Sequence, residues 1–167
     1  MKIGIVSDTH LSGGGRKLPH ALIEGLRDCD AILHAGDWVA MDVYEELSRL
    51  APVYGVAGNG DGEELIRRFG MKRTVEFGGV RIGIVHGHEG TGRTTPERAL
   101  LAFRDDPQHL IVFGHSHIPL SERTGETLLF NPGSPTDKRR QPNYSFGLVT
   151  IQGGSLHAEH RYYSNKN

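Results

Sequence analysis

Five short apolar runs, each leading into a residue able to bind a metal ion, constrain this chain more than any other feature of its sequence. They are KIGIV (2–6), AILHAG (31–36), PVYGVAG (52–58), VRIGIVHG (80–87) and HLIVFGH (109–115). Such runs are too brief for helices, are rich in Ile and Val and mostly lack polar alternation, the pattern of strands buried on both faces. Helical patterns alternate with them, over 17–29, 41–50, 62–69 and 95–106. In the last of these Thr95 stands as N-cap, Pro96 occupies the first helical position, and Glu97, like Glu63 and Glu64 in the helix before it, suits a first turn. Strand alternating with helix predicts parallel pairing through right-handed crossovers.

Beyond Gly114 the texture changes. ERTGETLLFNPGS, YSFGLVTIQGGS and LHAEHRYY are β-rich segments separated by Gly-containing turns, which predicts an antiparallel tail. TVEFGGVRIGIV (74–85) offers two strands around Gly78 and Gly79. The expected fold class is α/β (α+β): a four-layer αββα sandwich of two mixed β-sheets flanked by helices. At 167 residues the chain fits one domain, 1–167, able to bury about two-thirds of its unfolded surface.

In α/β sheets the loops leaving the carboxyl ends of the strands converge, and ligands bind there. The first run delivers Ser7, Asp8, Thr9 and His10; the second Asp37; the third Asn59 and Asp61; the fourth His86 and His88; the fifth His115 and His117. Residues two apart on extended chain project to one side, so Asp8 with His10, and His115 with His117, reach the same cluster. Carboxylates, imidazoles and an amide without thiolates suit Mn, Fe, Zn or Ni better than an all-oxygen cage for Ca or Mg. Asp8, His10, Asp37, Asn59, His86, His115 and His117 make seven groups, more than a tetrahedral zinc uses. Two divalent transition-metal ions, manganese first, sharing Asp37 at a separation of about 3.5–4 Å use the set better. Two such ions less the two carboxylates leave about +2, enough to hold an anionic phosphate ester.

Asp8-Thr9-His10, Gly36-Asp37, Gly58-Asn59, His86 and Gly114-His115-Ser116-His117 resemble, in order and spacing, the D-x-H, G-D, G-N, H and G-H-x-H blocks of the calcineurin-like metallophosphoesterase superfamily. The similarity spans essentially the whole chain, NPGS at 131–134 included, and the short length resembles the small YfcE-like phosphodiesterase branch. It implies a first metal held by Asp8, His10, Asp37 and His117 and a second by Asp37, Asn59, His86 and His115. It also implies a bridging hydroxide that attacks phosphorus in line, with Asp37 and Asn59 counted in the catalytic machinery. Many phosphatases of the superfamily follow G-N with a histidine that protonates the leaving group, whereas this chain has Gly60. His88 stands close enough in sequence to touch substrate or donate that proton, the alternative being an exposed loop histidine. Asp61 either orients Asn59 or a metal-bound histidine, or caps the helix at 62–69. Arg93 and Arg98 are candidates to clamp a phosphate, or surface charges.

Charge excludes little but is informative. Nineteen Lys and Arg against twenty Asp and Glu give a net charge of −1, with no global footprint for nucleic acid or an anionic membrane, and DKRR (137–140) reads as a solvated loop. A lone Cys29 and the lack of a long apolar start suggest a cytoplasmic protein. His20, His34, His109, His157 and His160 look scattered and are expected at the surface or in packing. The expected partner is a small phosphate-ester substrate. The leading function is hydrolysis of a small phosphate diester; the alternatives are a phosphomonoesterase and a non-catalytic interaction scaffold. Exposed apolar surface would support a homodimer.

Overall fold

A computed structural model describes residues 1–11 and 14–166. The elements run β1 (Lys2–Val6), α1 (His20–Leu26), β2 (Ala31–His34), α2 (Met41–Ser48), β3 (Val53–Gly55), α3 (Glu63–Phe69), β4 (Lys72–Phe77), β5 (Val80–Val85), α4 (Thr95–Ala102), β6 (Leu110–Val112), β7 (Leu120–Thr124), β8 (Thr127–Asn131), β9 (Tyr144–Gln152) and β10 (Ser155–Tyr163). Two five-stranded sheets result, in the orders β10-β9-β1-β2-β3 and β4-β5-β6-β8-β7.

Side-chain alternation explains the layers. In β2, Ala31 and Leu33 point into the core between the sheets while Ile32 joins the cluster under the helices, with Leu22, Leu26, Val43 and Leu47. In β6, Leu110 and Val112 face the inter-sheet core while Ile111 packs with Ala99 and Phe103. A strand apolar at every position thus serves two cores, giving the αββα order expected from the sequence.

Register sets the site. Val6 lies opposite His34 and His34 opposite Gly55, while Ile84 lies opposite Val112 and Val112 opposite Phe130. The parallel strands β1, β2 and β3, and β5, β6 and β8, therefore end in two level rows. Further backbone bonds tie the outgoing loops: Asp8 N to Gly36 O at 2.9 Å, His10 N to Asp37 O at 3.1 Å and Gly114 N to His86 O at 3.0 Å.

Three expectations need correction. The tail is antiparallel in β7–β8, β9–β10 and β1–β9, but β8 pairs with β6 in parallel. The chain leaving β6 runs first to the sheet edge as β7, so its hairpin return lays β8 beside β6 in the same direction. The cap of α4 is Thr94, whose Oγ1 accepts from Glu97 N at 3.3 Å; Thr95 is the first helical residue and Pro96 the second. Two adjacent threonines offer the same cap chemistry, and a proline fits either early position because neither amide has a helical acceptor. The helices at 17–29 and 95–106 are also shorter than their patterns, because Pro19 precedes the first and acidic Asp105 and Asp106 with Pro107 follow the second.

Candidate metal centre

The loops leaving β1, β2, β3, β5 and β6 bring all seven ligand-type residues to one rim. Asp8 is fully buried, and its Oδ2 is already satisfied, accepting from Ser7 Oγ at 2.8 Å and from His115 N at 3.0 Å. The other oxygen, Oδ1, faces His117 Nε2 at 3.3 Å, His10 Nε2 at 3.5 Å and His86 Nε2 at 3.7 Å. Asp37 is divided in the same way. Gly60 N donates to Oδ1 at 2.7 Å, while Oδ2 stands 3.3 Å from both His10 Nε2 and His86 Nε2, a bridging position.

Backbone acceptors fix the imidazoles. His86 Nδ1 donates to Ala35 O at 2.7 Å and His117 Nδ1 donates to Asp137 O at 2.6 Å, so each turns an Nε2 lone pair into the centre. His115 Nδ1 lies 3.1 Å from Asn59 Oδ1, and its ring centroid is 5.2 Å from that of His86. These two residues form the outer side of the cluster.

Whether such a set fits a metal is decided by what it leaves unpaired. Asp8 Oδ1, His10 Nε2, His86 Nε2 and His117 Nε2 are buried with no hydrogen-bond partner among the described residues. In each of the sets Asp8-His10-His117 and Asp8-Asp37-His86 the candidate ligand atoms lie within 4.8 Å of one another. An unsatisfied buried polar atom costs about 1–3 kcal/mol, so four of them facing a common point are a heavy burden unless cations sit among them.

Electrostatics agrees. Burial opposes ionisation of Asp8, yet the imidazoles of His10, His117 and His86 hold its carboxyl well below the usual range. Burial likewise opposes ionisation of Asp37, which His86 and Gly60 N pull down. Asp8 in turn raises His10, and the two carboxylates raise His86 against its burial. The carboxylate pair calls for positive charge, and divalent cations would replace the protons these imidazoles otherwise attract.

Backbone conformation marks the same residues. Asp8 (φ 57°), His10 (44°), Asp37 (60°), His115 (69°) and His117 (61°) are left-handed, as are Val39 (76°) and Arg139 (49°). Each such residue costs about 1–2 kcal/mol, and strain of this kind concentrates at functional sites.

The groups that hold this strain were mostly not singled out in the sequence. Asp61 does neither of the two things expected of it. Its Oδ2 accepts from Asp37 N at 2.9 Å and Gly58 N at 2.8 Å, and its Oδ1 from Val39 N at 2.7 Å, while α3 has no side-chain cap. It anchors the backbone of the strained Asp37 loop. His34, expected at the surface or in packing, is wholly buried and stacked on Trp38 at 3.7 Å. Gly36 N donates to its Nδ1 at 3.1 Å, so Nε2 carries the proton and donates to Thr9 Oγ1 at 3.1 Å. Burial pushes this imidazole down to about 3. The loop after β8 completes the support: Ser134 Oγ donates to Asp8 O at 2.7 Å, Thr136 Oγ1 to Thr9 O at 2.5 Å, and Asn131 Nδ2 to Gly114 O at 3.0 Å. For this last loop the NPGS sequence was the available signal.

Two glycines are explained by close approach. A Cβ at Gly114 would overlap Ser7 Oγ and lie 2.5 Å from Asp8 Oδ2. At Gly60 it would lie 3.2 Å from Asp37 Oδ1, over the carboxylate that the same residue's amide holds.

His88 has its ring centroid 5.4 Å from that of His86, and its Nδ1 is buried without a partner among the described residues. Burial and the charge of His86 push it below the usual imidazole range. It lines a small cleft of about 110 Å³ together with His86, Glu89 and Arg98. Arg98 Nε is engaged with Gly92 O at 2.8 Å, and Arg93 is exposed on the loop before α4, so neither lies among the converging ligands.

Comparison with known proteins leads to the same chemistry. Residues 1–154 match the calcineurin-like phosphoesterase superfamily domain. A probable metallophosphoesterase from Methanothermobacter thermautotrophicus is 34% identical over 163 residues, covering 95% of this chain and 91% of its own. A phosphodiesterase from Methanocaldococcus jannaschii is 30% identical, covering 98% of this chain and 96% of its own. In three dimensions the chain is similar to Vps29 of Entamoeba histolytica, crystallised with zinc, with a TM-score of 0.77 and 22% identity over 97% of this chain and 99% of that one. Sequence, fold and the converging strand-end ligands together make this chain a member of the calcineurin-like phosphoesterase superfamily.

Proposed function

We propose that residues 1–167 act as one domain that hydrolyses small phosphate diesters with two divalent transition-metal ions, manganese first. The observation that carries this reading is the set of orphaned, converging atoms: Asp8 Oδ1 with three imidazole Nε2 atoms, beside a bridging Asp37 Oδ2. Asp8, His10, Asp37 and His117 are assigned to one ion, and Asp37, Asn59, His86 and His115 to the other. Two cations held there supply Lewis acidity to the phosphoryl oxygens and a water acidic enough to serve as nucleophile near neutral pH.

The protein's own part is to orient and to exclude. Asp37 is turned to its bridging role by Gly60 N, and Asn59 by its contact with His115. His88, neutral at pH 7 because its pKa is lowered, offers the substrate a hydrogen bond rather than a full proton. With Gly60 where a proton-donating histidine would stand, leaving groups that need little protonation are favoured. That supports diesters with acidic leaving groups over alkyl monoesters, in line with the phosphodiesterase relative. The likeness to Vps29 supports a scaffold only through the fold, whereas seven filled ligand positions favour hydrolysis. The sole thiol, Cys29, is free and buried, which fits a reducing cytoplasm. No helix among the described residues is long and apolar enough to cross a membrane.

The test is turnover of bis(p-nitrophenyl) phosphate against p-nitrophenyl phosphate, after chelation and reloading with Mn, Fe, Zn or Ni, with bound metal counted. Diester preference and two ions per chain are expected, and Asp37→Ala should abolish turnover. Monoester preference would replace the diesterase reading with the monoesterase, and an inert protein holding no metal would leave the scaffold.

A further inference from the structure

Besides the centre itself, the molecule has a cleft of about 600 Å³ walled by His10, Arg16, Lys17, Thr136, Asp137 and Lys166. It adjoins the metal centre through His10, whose side chain is 28% exposed, whereas those of His86 and His117 are 0% exposed. Three cations face one carboxylate here, and that carboxylate is engaged elsewhere, with Asp137 Oδ2 4.0 Å from Arg139 Nε. Arg16, Lys17 and Lys166 form no ion pair among the described residues. Lys166 Nζ donates to Thr136 O at 3.2 Å, which fixes an ammonium at the cleft wall.

In a chain of net charge −1, three exposed cations gathered in one concavity set up a local positive potential that attracts an anion. Their composition suits a tetrahedral oxyanion: one guanidinium fork and two ammonium point charges match the several acceptor oxygens of a phosphate better than the two of a carboxylate. A cleft adjoining the centre also lets one molecule occupy both.

We propose that this cleft binds a second phosphate carried on one arm of the substrate, so that the substrate class is a phosphodiester bearing an additional terminal phosphate. The proposal rests on the diesterase reading: the centre takes the ester to be cleaved and the cleft takes the spectator phosphate. Arg16, Lys17 and Lys166 set specificity through KM and take no part in the chemical step. Three cations on a near-neutral chain are too few to track a polynucleotide backbone, which favours a small molecule.

Thymidine 5′-(p-nitrophenyl phosphate) and its 3′-phosphorylated counterpart differ only in the spectator group and release the same chromophore. The 3′-phosphorylated ester should show about tenfold higher kcat/KM, through KM, and the advantage should shrink as salt rises. Combined Arg16→Gln, Lys17→Gln and Lys166→Gln should erase the difference while leaving bis(p-nitrophenyl) phosphate turnover within twofold. Combined Arg27→Gln, Arg67→Gln and Arg161→Gln, which removes the same charge elsewhere, should preserve it. Calorimetric binding of thymidine 3′,5′-bisphosphate against thymidine 5′-phosphate, with and without metal, gives a readout independent of turnover. Equal use of the two thymidine esters by a protein that cleaves bis(p-nitrophenyl) phosphate would overturn the cleft assignment and leave the diesterase reading standing. Failure to cleave any ester with any metal would sink the diesterase reading, while the bisphosphate binding comparison still decides the cleft. Affinity for single-stranded DNA that grows with length beyond the bisphosphate's would overturn the small-molecule assignment.

Discussion

Asp61 provides the sharpest test of how the centre is held, because its carboxylate touches no candidate metal ligand's side chain. Its two oxygens receive three backbone amides, from Asp37 and Gly58 on Oδ2 and from Val39 on Oδ1. Asp61→Asn keeps the shape but has only one oxygen. With that oxygen in place of Oδ2, the new NH2 group faces Val39 N–H at a position now 2.7 Å away, donor against donor. One charge-assisted bond is lost, about 1.5–3 kcal/mol, and the Val39 amide is left unsatisfied at about 1–3 kcal/mol. The other two bonds weaken from charged to neutral. Against this, burial pushes the Asp61 carboxyl up, and a neutral amide is relieved of that cost. The balance is a destabilisation of about 3 kcal/mol, or about 6–12 °C in Tm for a domain of this size. Asp37 and Val39 sit at φ 60° and 76° on the loop so released, so the effect should reach the Asp37 carboxylate. Metal affinity should fall about 10- to 100-fold, as for other groups that orient ligands. Thermal unfolding of the metal-free variant, with isothermal titration of Mn, measures both. A variant matching wild type in Tm and in metal affinity would refute the assignment of Asp61 as the anchor of this loop.

His34 predicts an acid dependence of stability. Its imidazole is neutral in the fold, with a pKa of about 3 against an unfolded value of 6.5. The unfolded chain therefore binds the extra proton between those values; the stabilisation is complete above pH 6.5 and is lost progressively down to about pH 3. The full effect is on the order of 5 kcal/mol. Urea unfolding of metal-free wild type and His34→Gln across that window should give a clearly flatter slope for the variant, and equal slopes would contradict the burial of a neutral imidazole. Gly114→Ala should cost about 1–3 kcal/mol, because the new methyl overlaps Ser7 and crowds Asp8; unchanged denaturant midpoint and metal affinity would show that the contact relaxes freely. Stripping metal should lower stability by about 2.7 kcal/mol relative to protein held at a hundredfold excess over Kd, with far-UV circular dichroism unchanged. Global unfolding on chelation would contradict it, since the three apolar clusters contain no candidate ligand.

Much of this architecture was written locally. Doubly apolar runs such as AILH and LIV announce strands covered on both faces, and each is followed within a few residues by its candidate ligand. The alternation that sends Leu33 one way and Ile32 the other needs nothing beyond the period of a strand. Where the sequence misled, the missing information was non-local. Thr94 and Thr95 are chemically equal as caps, and the pairing of β8 with β6 depends on where the intervening hairpin lies. His34 and Asp61 carry no local mark that separates a buried support from a surface histidine or a helix cap.

What the sequence alone determined is therefore the identity and order of the seven side chains at the strand ends, together with the layers that bring those ends to one rim. What only tertiary structure decided is which atom of each points inward. Asp8 is turned by Ser7 beside it and by His115, 107 residues away; His86 is turned by Ala35, and His117 by Asp137. Asp37 is turned by Gly60, while Asp61 holds its backbone. A strand's period is a property of neighbours along the chain. The hydrogen bond that occupies one lone pair and leaves another exposed belongs to residues that meet only after the sheets have formed.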